Sequence, residues 1–153
     1  MTAGGGFSPR AAGGATTVQR LTASVIPDMI IEDHEATILD AAFDPWHHLA
    51  EYCNKGAQAA GQIGATAVFV GTMRDFNQDE TVQGMLLEHY PGMTENYLEK
   101  ISREAVRRWD LIDSLIVHRV GELLPGDPIV LVAVWSAHRK AAFEASRYLM
   151  EEL

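Results

Sequence analysis

The sequence predicts an α+β fold with a mostly antiparallel sheet and flanking helices, on three observations. Two dense apolar runs, residues 65–70 (ATAVFV) and 129–135 (IVLVAVW), have strand length and little polar alternation, the pattern of strands buried on both faces. Three segments, at 44–55, 94–109 and 136–153, carry helix start signals and helical apolar spacing. The strand-like pairs within 65–90 and 114–137 follow one another closely, which favours antiparallel pairing. The order is strand–helix–strand–strand–helix–strand–strand–helix, a layered α+β sandwich.

The 153 residues fit one domain, and 47% hydrophobic with 22% charged residues is ordinary for a globular chain. Residues 1–24, rich in Gly and Ala, offer too little apolar surface to offset the entropy of ordering and are expected to be a disordered extension. Arg10 and Arg20 ahead of the first acid, Asp28, give it a faint likeness to a transit peptide. It lacks an apolar helical face, so the reading is a plain flexible extension. The remaining 25–153 form the single folded domain. Within it, 29–31 suggests a short strand and 32–35 a polar turn. Asp44 is placed as an N-cap with Pro45 at the first helical position, and Trp46, Leu49, Ala50 and Cys53 share a face.

The linker 56–64 leads into the strand 65–70, which ends at Gly71-Thr72-Met73-Arg74. A polar loop, 75–80, and a strand, 82–90, follow, closed by Pro91-Gly92. In the next helix Thr94 is the expected cap, and Tyr97, Ile101, Ala105 and Trp109 make an i, i+4 stripe. An alternating strand, 114–123, turns at Pro125-Gly126-Asp127 into the most apolar strand, 128–137. The last helix takes Ser136 as N-cap, with Ala142, Phe143, Ser146, Leu149 and Met150 facing inward.

Several functions are excluded by what the sequence carries. A net charge of −9 argues against nucleic-acid binding. No apolar run approaches the length of a membrane helix, and one cysteine, Cys53, forms no internal disulfide or multi-cysteine metal cluster. A reducing, cytoplasmic setting follows. No P-loop, dinucleotide fingerprint, His-x-x-x-His, Cys-x-x-Cys or Gly-x-Ser-x-Gly motif occurs. Cys53 reads as a small core residue, a persulfide carrier being the alternative. His47 and His48, about 100° apart on a helix, do not share a metal.

The candidate chemistry lies in Arg74, His138 and Arg139, at the ends of the two most apolar strands. If those strands are neighbours, the three groups converge at one rim, and the helix start at 136–139 adds N–H groups that favour an anion. A phosphate or carboxylate ligand is the natural expectation. The bland reading of Arg74 alone is a sheet cap paired with Asp75 or Asp79. His118 and Arg119 either join the site or merely pair with Glu88 and Glu122, His89 is in the same position, and a structural hydrogen-bonding role is the ordinary one for His89 and His118.

Four segments, VGTMRDFN (70–77), LEHYPGMTE (87–95), VHRVGELLPGD (117–127) and SAHRKAAFEA (136–145), together resemble the large, catalytic subunits of molybdopterin synthase, over roughly residues 25–153. The resemblance implies an α/β-hammerhead fold with a small extra antiparallel subdomain. It also implies a homodimer whose protomers each bind a small ubiquitin-like sulfur carrier. The carrier's thiocarboxylated Gly-Gly tail enters a pocket and gives sulfur to cyclic pyranopterin monophosphate, making the molybdopterin dithiolene. By position, Arg74, His138 and Arg139 match substrate-binding residues, and Phe69 and Met150 match the carrier-tail pocket. No cofactor and no metal are implied.

The family's candidate catalytic lysines lie in a segment resembling Lys-x-x-Ala-Pro-x-Trp-Lys beyond the position of Leu153, so no catalytic residue is assigned within 1–153. A helix uncapped at 151–153 reads as cut rather than finished, and the expectation is an omitted tail. The alternatives are a truncated, non-catalytic scaffold that dimerises and binds the carrier, and an unrelated small α+β ligand-binding domain.

Overall fold

The computed structural model describes residues 34–55, 61–77, 80–81 and 83–153. The expectations for residues 1–24, the strand at 29–31 and most of the linker 56–64 lie outside them. The elements are β1 (His34–Leu39), α1 (Pro45–Lys55), β2 (Ala65–Thr72), β3 (Phe76–Asn77), β4 (Glu80–Thr81), β5 (Met85–Leu87), α2 (Met93–Trp109), β6 (Asp113–Arg119), β7 (Gly121–Leu123), β8 (Pro128–Ser136) and α3 (Arg139–Glu152).

The most apolar stretch takes the most buried place. In a four-stranded sheet ordered β1-β6-β8-β2, β8 lies inside, antiparallel to both β6 and β2, while β1 joins β6 in parallel. Period-2 alternation splits its side chains between two faces. Val130, Val132 and Val134 join Ile116 on one face, under Leu98, Ile101 and Ala105 of α2 and Ala142, Ala145 and Leu149 of α3. Leu131, Ala133 and Trp135 join Leu115 and Val117 on the other, where Leu49, Tyr52 and Cys53 of α1 pack. The Tyr52 ring stacks on Trp135 at 5.6 Å, and its hydroxyl donates to the buried Asp113 carboxylate at 2.9 Å. Across the other face, the buried Ser102 and Ser114 hydroxyls meet at 2.6 Å, tying α2 to β6.

Four expectations need correction. The apolar density of 65–70 predicts burial on both faces; β2 is instead an edge strand, with Val68 38% and Phe69 41% exposed. Apolar density marks a strand, but it does not say which neighbour lies on each side. Segments 65–72 and 82–90 do not pair: β2 binds β8, while the latter stretch shrinks to β5, which pairs with β7 in a separate two-stranded ribbon. With β3–β4 this supplies the small antiparallel additions to the main sheet. The expected turn 32–35 overlaps β1, which already includes His34 and Glu35. Phe143, expected to face inward, is 71% exposed.

Two helix starts also shift. α2 is capped by Gly92, in the left-handed region at φ 83°, and the Glu95 carboxylate accepts its N–H at 2.6 Å. Thr94 instead accepts from the Tyr90 amide at 3.2 Å. The cap of α3 is His138, two residues past Ser136, whose Oγ accepts the His138 N–H at 3.2 Å. The Asp44–Pro45 start holds, with the Asp44 carboxylate accepting from the Trp46 and His47 amides.

Candidate functional site

Two ends of the β2–β8 pair carry the candidate cations. The register matches Ala65 with Ser136 at one end and, across an irregularity after Gly71, Thr72 with Pro128 at the other. Antiparallel neighbours put their C-terminal ends at opposite edges. Arg74, exposed just past β2, therefore lies at the Pro128 end, while the exposed His138 and Arg139 open α3 at the Ala65 end. The three groups do not converge within one chain. The two strands are neighbours, the condition on which convergence depends, but their antiparallel polarity separates the tips.

Each end is held firmly. At the Arg74 end, Leu124–Asp127 form a type II turn: the Asp127 N–H donates to the Leu124 carbonyl at 3.0 Å, Pro125 takes the second position, and Gly126 takes φ 91°. This turn grips Met73, whose N–H donates to the Asp127 carbonyl and whose carbonyl accepts from Gly126, both at 2.9 Å. At the other end, the Gly64 N–H donates to the Ser136 carbonyl at 3.0 Å. A Cβ at Gly64 would collide with the Ala137 carbonyl, so close approach there requires glycine.

Between the two ends runs an open groove of about 500 Å³, where the face of α3 passes the edge of β2. Phe69 and Met150 both line it, with Thr66, Phe143, Ser146 and Arg147. Phe143, Ser146, Arg147 and Met150 fall at i, i+3, i+4 and i+7, one helical stripe. Phe143, Ser146 and Met150, which the sequence places facing inward, thus border the groove.

The remaining candidates take structural places. His118 is half-buried, and burial pushes its imidazole below the ordinary value, against the opposing effect of a 3.0 Å bond to the Arg119 carbonyl. Arg119 is buried, 3.0 Å from the Asp127 carboxylate, and its Nη2 donates to the Glu122 carbonyl at 3.0 Å. His89 is half-buried. His47 faces Glu51 at 3.5 Å on exposed surface, and His48 sits edge-on to Phe43. Among the described residues, no group of three His, Cys, Asp or Glu side chains is placed to hold a metal, and no helix is long and apolar enough to cross a membrane. Between α2 and α3, Tyr148 donates to Glu104 at 2.7 Å, a bond that raises its phenol to about 12, while Tyr97 donates to Glu152 and Trp109 to Glu144. These bonds fix the helix that walls the groove.

Comparison with known proteins gives a consistent result. The model of the family described as MoaE protein matches residues 39–153. A molybdopterin synthase catalytic subunit from Pseudomonas aeruginosa is 52% identical over 116 residues, 76% of this chain and 75% of that protein. Other curated relatives match over 52% to 61% of their own length. Among solved structures, the molybdopterin biosynthesis MoaE protein from Burkholderia ambifaria superposes with a TM-score of 0.65 at 46% identity, covering 77% of this chain and 74% of that one. A complex of subunits 1 and 2 of molybdopterin-converting factor from Helicobacter pylori gives 0.62 at 26% identity, covering 76% and 75%.

Proposed function

The chain belongs to the MoaE protein family, and from that premise we propose that it is the catalytic subunit of a molybdopterin synthase. It transfers sulfur from the thiocarboxylated tail of a small ubiquitin-like carrier to cyclic pyranopterin monophosphate, forming the molybdopterin dithiolene. The reaction runs in the cytoplasm, a setting that suits a chain with one cysteine. The observation that carries the reading is the groove beside β2, which Phe69 of β2 and Met150 of α3 both line although the sequence holds them far apart. An extended Gly-Gly tail needs a narrow, partly apolar channel along an open strand edge, and β2 supplies both edge and wall.

The cations fit the substrate. A cyclic phosphate is matched by guanidinium groups that donate in a fork and by a protonated or neutral imidazole. In one chain Arg74 and the His138–Arg139 pair stand at opposite ends of β2, so a single phosphate reaches both only if two copies share a site. We assign each site to two protomers of a homodimer: Arg74 and the groove from one, His138 of the partner subunit and Arg139 of the partner subunit from the other. Two carriers in turn each deliver one sulfur. The thiocarboxylate sulfur bonds to a side-chain carbon of the pterin as a carbon–oxygen bond there breaks, the oxygen leaving as water at one carbon and as the opened phosphate ester at the other. Water then cleaves each acyl–sulfur bond, returning the tail as a carboxylate. Cys53 has no part in these steps. It lies half-buried beside the Trp135 cluster.

The test is a single-turnover reaction with thiocarboxylated carrier and cyclic pyranopterin monophosphate, the dithiolene being followed as its oxidised fluorescent derivative. It is run on the polypeptide ending at Leu153 and on one extended by a segment carrying the two family lysines. Product from either supports the reading. Product from neither, with the carrier bound, means a non-catalytic scaffold, and no carrier binding sinks the assignment.

A further inference from the structure

Arg119 is a buried guanidinium on the last residue of β6, 8% exposed, with donors to spare. Its Nη1 lies 3.0 Å from the Asp127 carboxylate, yet neither Nη1 nor Nε has a directed hydrogen bond. A buried guanidinium paired with a partly exposed carboxylate, its other donors unfilled, is a poor stabilising device, because desolvation of the guanidinium offsets most of the Coulomb gain. What the pair does supply is position. The same Asp127 carboxylate accepts the Leu124 N–H at 3.0 Å and so closes the turn, while Arg119 Nη2 holds the Glu122 carbonyl just before it. The turn in its own right grips Met73 through two backbone bonds, and Met73 is 6% exposed, with no slack. Arg74 is the next residue.

We propose that Arg119, through Asp127 and the Leu124–Asp127 turn, is the positioning residue for Arg74, setting where that guanidinium meets the substrate phosphate. The inference rests on Arg74 binding the pterin phosphate, as above. It explains why a cation sits in the core at this point, out of reach of substrate, and why β2 ends on an irregular step: the Gly71–Thr72 shift lets the chain leave the sheet and enter the turn's grip.

A double-mutant cycle tests it, using Arg119→Lys, Asp127→Asn and Arg74→Ala in the full chain, with the dissociation constant for cyclic pyranopterin monophosphate and that for the carrier both measured. Arg119→Lys keeps the charge but loses the fork, and Asp127→Asn removes the ion pair while keeping an acceptor for Leu124. Either change should weaken pterin binding about tenfold, leave carrier binding within about twofold, and have no further effect once Arg74 is alanine, since contacting residues in one chain of action are not additive. Equal losses with and without Arg74, or parallel losses of pterin and carrier, would reduce Arg119 to a stabilising residue and overturn the proposal. If Arg119→Lys fails to fold, Asp127→Asn, altering a partly exposed side chain, decides alone. If Arg74→Ala leaves pterin binding intact, the premise about Arg74 fails. If Arg74→Ala weakens it and the other two do not, only the positioning role fails.

Discussion

Arg74→Ala and Arg139→Ala, made in separate chains and then mixed, test whether the phosphate site is shared between protomers. β2 has 8 residues and runs from the Arg139 end to the Arg74 end, which at about 3.3 Å per step is roughly 23 Å. Two fully extended arginine side chains reach about 7 Å each from standard bond lengths. Together they fall short of the span, before any allowance for orientation. Each single mutant should therefore lose most of its turnover as a homodimer. In a mixed dimer both defects fall on the same site, leaving the other site intact. Random exchange makes half the dimers mixed, and one of their two sites works, so a 1:1 mixture should recover about a quarter of wild-type turnover. The assay is dithiolene formation after subunit exchange, with each mutant alone as control. If a site were built within one chain, every protomer in the mixture would carry a lesion. Recovery no greater than the sum of the two controls would then refute the shared site.

Other outcomes follow from the same geometry. Phe69→Asp, placed in the groove on an exposed edge, should weaken carrier binding by about tenfold or more in calorimetry while leaving the melting temperature nearly unchanged; unaltered affinity would remove the groove from the carrier's path. Cys53→Ser should leave single-turnover yield within about twofold, at a stability cost of about 1 kcal/mol for placing a hydroxyl at a half-buried apolar contact; loss of all product would revive a persulfide role. His118 is held below its ordinary value of 6.5, so the unfolded chain binds its proton more readily than the folded one. Stability from this group is therefore complete above about pH 6.5 and declines as the pH falls toward the lower folded value. His118→Gln should flatten denaturant midpoints over that acidic range, and an unchanged slope would assign the pH dependence elsewhere.

How much of this was legible in the sequence depends on whether the signal was local. The Asp44–Pro45 start, the Pro125–Gly126 turn and the apolar strand expected at 128–137 rest on residues whose conformational limits act within a few positions, and the structure has all three, the strand as Pro128–Ser136. Strand neighbours are decided by long-range competition. β8 has apolar side chains on both faces and takes β6 and β2 as partners, leaving Met85–Leu87 to pair with Gly121–Leu123. Nothing local to 65–90 announces that outcome. The candidate residues themselves came from resemblance and from the ends of apolar runs. Their separation could not be seen until strand polarity was known. Between the two roles open to Arg119 the sequence does not choose, because its contacts flank and close a turn, at Glu122 and Asp127, whose grip on Met73 is a tertiary event.

The exposed edge of β2 has a consequence for how this polypeptide behaves in a cell. Val68 and Phe69 are half-uncovered on a strand that has only β8 beside it among the described residues. Such an edge is a template for any passing strand, not only the right one. Its safety is thus a matter of supply: whatever occupies the edge stabilises the fold by mass action and simultaneously shields it. On the proposed assembly, subunit made in excess of its partner is the form that leaves this edge uncovered. Balanced synthesis then serves quality control as well as stoichiometry, and orphan chains are the ones a protease or chaperone meets first.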